Sequence, residues 1–113
     1  MKNIAIINCV KASEVCAGVS CMDAFYEKKA AFGVYGGEDL RLIAFMLCNG
    51  CDCDVETDPG LQRKIDRLVK SNTEVAHFGV CTKDQQTGEE CVKITELAGR
   101  LEGLGMQIVR GTH

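Results

Sequence analysis

The stretch NIAIINC, residues 3–9, decides the fold that this sequence predicts. Residues 3–8 are typical of a short buried β-strand: a continuous apolar run, residues 4–7, with two adjacent isoleucines, is bounded by Asn3 and Asn8. A strand that is apolar on both sides is covered on both faces, as in a parallel sheet between two layers of helices. Cys9 follows at once, so the first strand ends in a thiol.

The segments that follow alternate between helix and strand patterns. Helices are predicted over residues 21–32 and 92–104, and within the stretch 57–72, where Asp58 is the predicted cap and Pro59 the first helical residue. Further strands are predicted over residues 39–47, 74–80 and 106–110. The second strand is also apolar on both faces, which is typical of a central strand. The alternation predicts a single α/β domain, residues 1–113, with a parallel sheet of about four strands. We expect the strand order 2-1-3-4 with helices on both faces, a flavodoxin-like arrangement.

Composition and charge narrow the classes of function. The chain has 113 residues, 46% of them apolar and 26% charged, as in a globular protein. A net charge of −3 provides no basic surface for nucleic acid or an anionic membrane, and we expect neither as a partner. The first apolar run is too short for a signal peptide or a membrane span, which predicts a cytoplasmic protein. Thiols stay reduced there, so permanent disulfides do not explain eight cysteines.

The cysteines follow the predicted strands. In a parallel sheet the carboxyl ends of all strands lie at one edge, where ligands bind. Cys9 follows the first strand, Cys81 the third, and the pair Cys48 and Cys51 the second, while His113 lies three residues beyond the fourth. We therefore expect these side chains to gather at this edge. Four more cysteines lie in loops at the same edge or where helices leave it: Cys16, Cys21, Cys53 and Cys91.

Three roles are open to these thiols: metal binding, a redox disulfide, and packing in a small core. Cysteine is often buried as a small apolar residue, but none of the eight falls inside a predicted strand or late in a predicted helix. Cys48 and Cys51 have the spacing that zinc or one corner of an iron–sulfur cluster requires, and Gly50 permits the turn between them. The alternatives are a thiol/disulfide or electron-transfer protein, or an enzyme that uses one of these cysteines. No motif defines a reaction.

Other residues argue against better-known thiol proteins. A thioredoxin-type site needs a cis-proline, and Pro59, the single proline, begins a helix. Small phosphatases of this fold have an arginine six residues after the first-strand cysteine, where Val15 stands here. No glycine-rich nucleotide motif follows a strand. His77 lies within the third strand, where a hydrogen-bonded core histidine is favoured over a metal ligand.

Together these motifs resemble the CGGC domain family over essentially the whole chain. The matching residues are Cys9, Cys16-Ala17-Gly18, Cys21, Cys48-Asn49-Gly50-Cys51, His77 to Cys81, Cys91 and Gly111-Thr112-His113. The resemblance implies a metal-binding domain, with zinc suggested by its cysteines and histidines. Asn49 stands where the family motif has its first glycine. Cys53 stands where relatives often have glycine, which makes it an additional candidate ligand.

The sequence therefore predicts a metal–thiolate protein. The main predicted ligands are Cys9, Cys48, Cys51 and Cys81, and the secondary candidates are Cys16, Cys21, Cys91 and His113. Four thiolates suit either tetrahedral zinc or an iron–sulfur cluster, so the choice of cofactor stays open. A redox partner protein is a further possibility for which the sequence gives no identity.

Overall fold

The structure is a computed structural model, which describes residues 2–50, 52–83 and 86–112. A four-stranded parallel sheet has the order β2-β1-β3-β4, which confirms the predicted α/β fold and strand order. The strands are β1 (Lys2–Asn8), β2 (Leu40–Leu47), β3 (Val75–Phe78) and β4 (Gln107–Arg110). The helices are α1 (Val19–Glu27), α2 (Pro59–Lys70) and α3 (Val92–Gly103), with short 3₁₀ segments at Ala12–Glu14, Ala30–Tyr35 and Val80–Thr82.

The central strand β1 is covered on both faces, as its sequence predicts. Ile4 and Ile6 pack with α1 in one apolar cluster, while Ala5 and Ile7 pack with α2 and α3 in a second cluster on the opposite face. Alternate residues of a strand point to opposite faces, which divides these side chains between the two clusters. All four are fully buried because both faces of the strand are covered. Each buried isoleucine contributes about 1.5–3 kcal/mol. The strand thus joins the two helical layers and fixes where Cys9 leaves the sheet.

β2 is an edge strand, as the predicted order 2-1-3-4 requires, although its apolar pattern is typical of a central strand. Phe45 keeps 38% of its surface exposed. Pairing with β1 is interrupted: Ile4 pairs with Leu42 but Ala5 pairs with Ala44, so Ile43 is an extra residue in β2. The apolar run of β2 arises because helices cover both of its faces in part, and not because another strand lies beyond it.

The helix predicted over residues 21–32 is wrong in its second half. The helix α1 ends at Glu27, and the next residue, Lys28, adopts a left-handed conformation with φ of 50°. Phe32 belongs instead to the 3₁₀ segment Ala30–Tyr35. Its ring still packs edge-on against Phe25 with centroids 5.4 Å apart. The helical spacing of these two aromatic residues therefore reflects a shared core rather than one continuous helix.

The helix α2 begins as the sequence predicts. Asp58 caps it by accepting a hydrogen bond from the N–H of Leu61 at 2.9 Å, and Pro59 occupies the first helical position. Leu61, Ile65 and Leu68 form its buried stripe. Both α2 and α3 have twelve residues, and within the described part of the chain no helix is long and apolar enough to cross a membrane.

Candidate functional site

The carboxyl ends of the three neighbouring strands β2, β1 and β3 are aligned at one edge of the sheet. The N–H of Cys48 donates to the carbonyl of Asn8 at 3.0 Å, which continues the β1–β2 ladder by one residue. On the other side the N–H of Gly79 donates to the carbonyl of Ile7, also at 3.0 Å. The loops that leave these strands therefore start side by side.

Two consecutive backbone amides after β1 bring thiols from the neighbouring strands together. The N–H of Cys9 donates to the sulfur of Cys81 at 3.5 Å, and the N–H of Val10 donates to the sulfur of Cys48 at 3.4 Å. Because the two amides are adjacent, these bonds limit the separation of the two sulfur atoms to about 11 Å. Three of the four main predicted ligands, Cys9, Cys48 and Cys81, thus lie around one turn, in agreement with their predicted approach at this edge. The fourth, Cys51, lies outside the described residues, as does the secondary candidate His113.

A cavity of about 180 Å³ opens beside this turn. Its walls include Cys9, Cys16 and Cys81, together with Asn8 and apolar side chains of β2. The loop after β1 positions Cys16, whose sulfur accepts a hydrogen bond from the N–H of Gly18 at 3.4 Å. The secondary candidate Cys16 therefore shares one small space with two of the main predicted ligands.

Two of the predicted ligands are also buried packing residues. Cys21, in the first turn of α1, is 3% exposed and packs in the cluster beneath that helix. Its sulfur lies 3.7 Å from the amide nitrogen of Asn8 and 3.1 Å from the hydroxyl of Thr112. Cys48 is 7% exposed and packs in the opposite cluster. The packing role therefore applies to these two thiols, and Cys21 is not among the described residues that line the cavity.

The cysteines Cys53 and Cys91 lie on the side of α2 and α3. Both are partly buried against the core cluster beneath those helices. The N–H of Cys91 donates to the carbonyl of Thr82 at 3.0 Å, one residue before α3 begins. Burial raises the pKa of the Cys53 thiol, and so do the nearby Asp58 carboxylate and Cys48 thiol. Cys53 therefore lies near Cys48, whereas Cys91 is the residue that directly precedes α3.

The thiol of Cys81 lies in an environment that disfavours a lone negative charge. Burial raises its pKa most, while the hydrogen bond from the N–H of Cys9 lowers it. The neighbouring thiols Cys9, Cys21 and Cys16 raise the pKa of Cys81 further, because a second thiolate nearby would repel the first. A metal cation among these sulfurs would reverse that balance, since it stabilises each thiolate directly.

Thiol side chains are the ligands that soft metal ions prefer, but the described side chains do not by themselves form a complete metal site. In residues 2–50, 52–83 and 86–112, no three Cys, His, Asp or Glu side chains are close enough to share one metal ion. Backbone N–H groups nevertheless point at the sulfurs of Cys16, Cys48 and Cys81, and such bonds stabilise metal-bound thiolates. One shared ion therefore needs a side-chain rotation, or a ligand from Cys51 or His113.

The site contains two residues that the sequence analysis missed, Asn8 and Gly79. Asn8 is 6% exposed, and its amide oxygen has no hydrogen-bond partner among the described residues. A Cβ added at Gly79 would lie 1.9 Å from that oxygen and 3.4 Å from the sulfur of Cys81. The backbone of Gly79 therefore packs directly against the Asn8 carboxamide beside a predicted ligand. The sequence feature that indicates this contact is a polar residue, Asn8, at the end of a buried strand and directly before a cysteine.

His77 is a core histidine, as the sequence favoured. It is fully buried, and its ring stacks on Phe32 with centroids 4.2 Å apart. The Nδ1–H donates to the carbonyl of Gly111 at 3.0 Å, so Nε2 accepts from the hydroxyl of Tyr35 at 2.6 Å. Burial lowers the pKa of His77. Both ring nitrogens are used in holding the strand β3 to its neighbours, which leaves neither for a metal.

Comparison with known proteins agrees with the motifs. A model of the CGGC domain matches residues 3–113, essentially the whole chain, which confirms the resemblance drawn from the sequence. No curated protein and no solved structure shows a significant match to this sequence, so no neighbour tests the flavodoxin-like label.

Proposed function

Since the chain belongs to the CGGC domain family, whose domain is described as metal-binding, we propose that it holds a zinc ion or an iron–sulfur cluster at the carboxyl edge of the sheet. The proposed main ligands are the thiolates of Cys9, Cys48, Cys51 and Cys81. The proposed secondary ligands are Cys16, Cys21, Cys91 and His113.

The observation that carries this proposal is the pair of N–H···S hydrogen bonds from Cys9 and Val10 to the sulfurs of Cys81 and Cys48. These residues come from three different strand ends, and no core-packing requirement explains why adjacent amides point at two sulfurs. Amide hydrogen bonds to sulfur are the interactions that stabilise thiolate ligands and tune metal centres. The cavity shared by Cys9, Cys16 and Cys81 provides space beside them.

The residues of the chain have separable roles in the proposed centre. The thiolates bind, and the N–H groups of Cys9, Val10 and Gly18 keep the sulfurs oriented and partly neutralised. When bound, zinc supplies a structural cross-link or a Lewis acid, whereas a cluster supplies electron transfer. The apolar side chains of β2 that line the cavity limit the access of water to the sulfurs.

Anaerobic purification followed by metal analysis, visible spectroscopy and thiol titration tests the proposal. We expect bound metal with most thiols protected; a sulfur-to-iron charge-transfer band identifies a cluster, and a colourless zinc-containing protein identifies zinc. Cys9→Ser and Cys81→Ser should each lose the metal, whereas Val15→Ser, at a residue of the loop after β1 that is 93% exposed, should keep it. A folded, metal-free protein with eight titratable thiols contradicts the proposal. A metal-free protein that cycles between dithiol and disulfide supports the redox alternative.

A further inference from the structure

The residue that follows Cys48, Asn49, joins the end of β2 to α2 through its side chain. Its amide nitrogen donates to the carboxylate of Asp58 at 2.6 Å, and its amide oxygen accepts from the ammonium of Lys64, also at 2.6 Å. We call these three side chains the Asn49 bridge. Asn49 is exposed, so burial does not account for the way all the polar atoms of its side chain are directed at α2.

Each end of the Asn49 bridge is fixed by a further hydrogen bond to the backbone. The Asp58 oxygen that accepts from Asn49 also accepts from the N–H of Leu61 at 2.9 Å, so one atom caps the helix and holds Asn49. Lys64 also donates to the carbonyl of Leu47, the last residue of β2, at 2.7 Å. The Lys64 ammonium therefore donates hydrogen bonds to the residue before Cys48 and to the residue after it.

The helix makes room for this contact. A Cβ added at Gly60 would lie 2.9 Å from the amide nitrogen of Asn49. Glycine is disfavoured within a helix, yet this position in the first turn of α2 lacks a side chain where Asn49 approaches. The side chain of Asn49 and the missing side chain at Gly60 together permit this close approach to α2.

Beyond Asn49, the next residue has open surroundings. Gly50 has a φ of +100° and nothing lies within 4 Å of the position where its Cβ would be, so this residue faces open space. The N–H of Cys53 reaches the carbonyl of Gly50 at only 3.4 Å. In contrast, α2 is anchored in the core by Leu61 and Ile65, each 1% exposed.

We propose that Asn49 is a positioning residue for the metal centre: through Asp58 and Lys64 it holds the backbone beside the proposed ligand Cys48 in place and slows metal release. This inference rests on the proposed function. Pre-organised ligands lose little freedom on binding, so a loosened ligand releases its metal faster. Loss of hydrogen bonds to charged groups corresponds to about a tenfold change in rate.

A reciprocal exchange of side chains tests the proposal. Asn49→Asp places a second carboxylate against Asp58 and should speed the transfer of Zn²⁺ from the loaded chain to a chromogenic chelator about tenfold. Asn49→Asp combined with Asp58→Asn restores a donor–acceptor pair and keeps a good helix cap, so the wild-type rate should return. Lys64→Met should also speed release. Arg63→Met is the matched control, since it removes the same charge one residue away and makes none of these hydrogen bonds.

Amide hydrogen exchange of residues 48–53 in the metal-free chain provides a second readout. Asn49→Asp should speed this exchange, and the double variant should restore it. Unchanged exchange in Asn49→Asp overturns the Asn49 bridge, and unchanged Zn²⁺ release in the same variant overturns its positioning role alone. A wild-type chain that retains no metal overturns the proposed function, and the positioning role with it, so the two failures are distinguishable.

Discussion

At the scale of single residues, Gly79 has the most constrained position in the site. Gly79→Ala places a methyl group 1.9 Å from the amide oxygen of Asn8, where neither side can move without disturbing a buried strand end. Overpacking of this kind costs about 1–3 kcal/mol. We expect chemical denaturation to show a loss of unfolding free energy in that range.

Gly99→Ala is the control for that substitution. Gly99 lies in α3, where nothing lies within 4 Å of an added Cβ. Alanine is favoured over glycine in a helix by about 0.5–1 kcal/mol, so this variant should be stabilised. A Gly79→Ala chain as stable as the wild type would show that Asn8 can move away from the backbone of Gly79.

The buried His77 makes stability depend on pH. Burial lowers its pKa in the folded chain below the value of about 6.5 that it has when unfolded. The unfolded chain therefore binds the proton more tightly, and the stabilisation is complete above about pH 6.5 and declines as pH falls below it. Burial raises the pKa of Tyr35, so its hydroxyl stays a donor throughout this range.

Unfolding free energies measured between pH 5 and pH 7 should consequently fall towards acid in the wild-type chain. His77→Gln should be less stable at neutral pH but show a flatter dependence in this range. Leu97→Ala is the control, because it destabilises the buried side of α3 without removing a titratable group, and it should keep the wild-type slope. A wild-type profile that stays flat from pH 7 to pH 5 would mean that His77 accepts a proton in its buried position.

At the scale of elements, the backbone adopts a left-handed conformation at Lys28, where α1 ends, and again two residues later at Ala30. Ala30, with φ of 52°, holds a conformation that costs an L-amino acid about 1–2 kcal/mol and glycine almost nothing. Because Ala30 is exposed, Ala30→Gly should raise the unfolding free energy by about 0.5–1 kcal/mol. Ala31→Gly, at a residue without positive φ, should lower it; equal losses in both variants would contradict this account.

Elements with local signals could be predicted from the sequence, and elements defined by distant contacts could not. The cap of α2 depends on Asp58 and Pro59, which are adjacent in sequence, and its start was correct. The end of α1 depends on how Phe32 reaches a core shared with Phe25, which periodicity alone does not distinguish from a longer helix. The apolar run of β2 alone suggests a central strand, because partial cover by helices produces the same pattern as a neighbouring strand; only the predicted strand order places β2 at the edge.

The candidate site likewise has features that the sequence predicts and features that depend on distant contacts. The rule that parallel strands end at one edge predicted that Cys9, Cys48 and Cys81 would approach each other, and it needed only the strand order. The contribution of Gly79 and the Asn49 bridge could not be predicted, because each depends on the packing of loops whose paths are set by tertiary contacts. Which thiols bind metal stays a prediction, and chemical analysis tests it directly.

At the scale of the whole molecule, two apolar clusters cover the sheet, and most of their buried side chains are aliphatic or aromatic, although Cys48 and Cys21 belong to them. We therefore expect the metal-free chain to remain folded, and metal at one hundred times its dissociation constant to add about 2.7 kcal/mol to the unfolding free energy. Urea denaturation with and without a chelator measures this gain, which Cys81→Ser should abolish. Complete unfolding on chelation would show that the metal, and not the core, maintains the fold.

The extra residue Ile43 in the outermost strand β2 has a consequence for the behaviour of the chain in concentrated solution. A long apolar strand at the border of a sheet offers its free backbone groups to a strand from another molecule, which is how many proteins begin to aggregate. A bulge bends and twists such a border, so a second molecule does not meet a straight row of hydrogen-bonding groups. The irregularity thereby makes this border a poorer template for pairing with a strand of a second molecule.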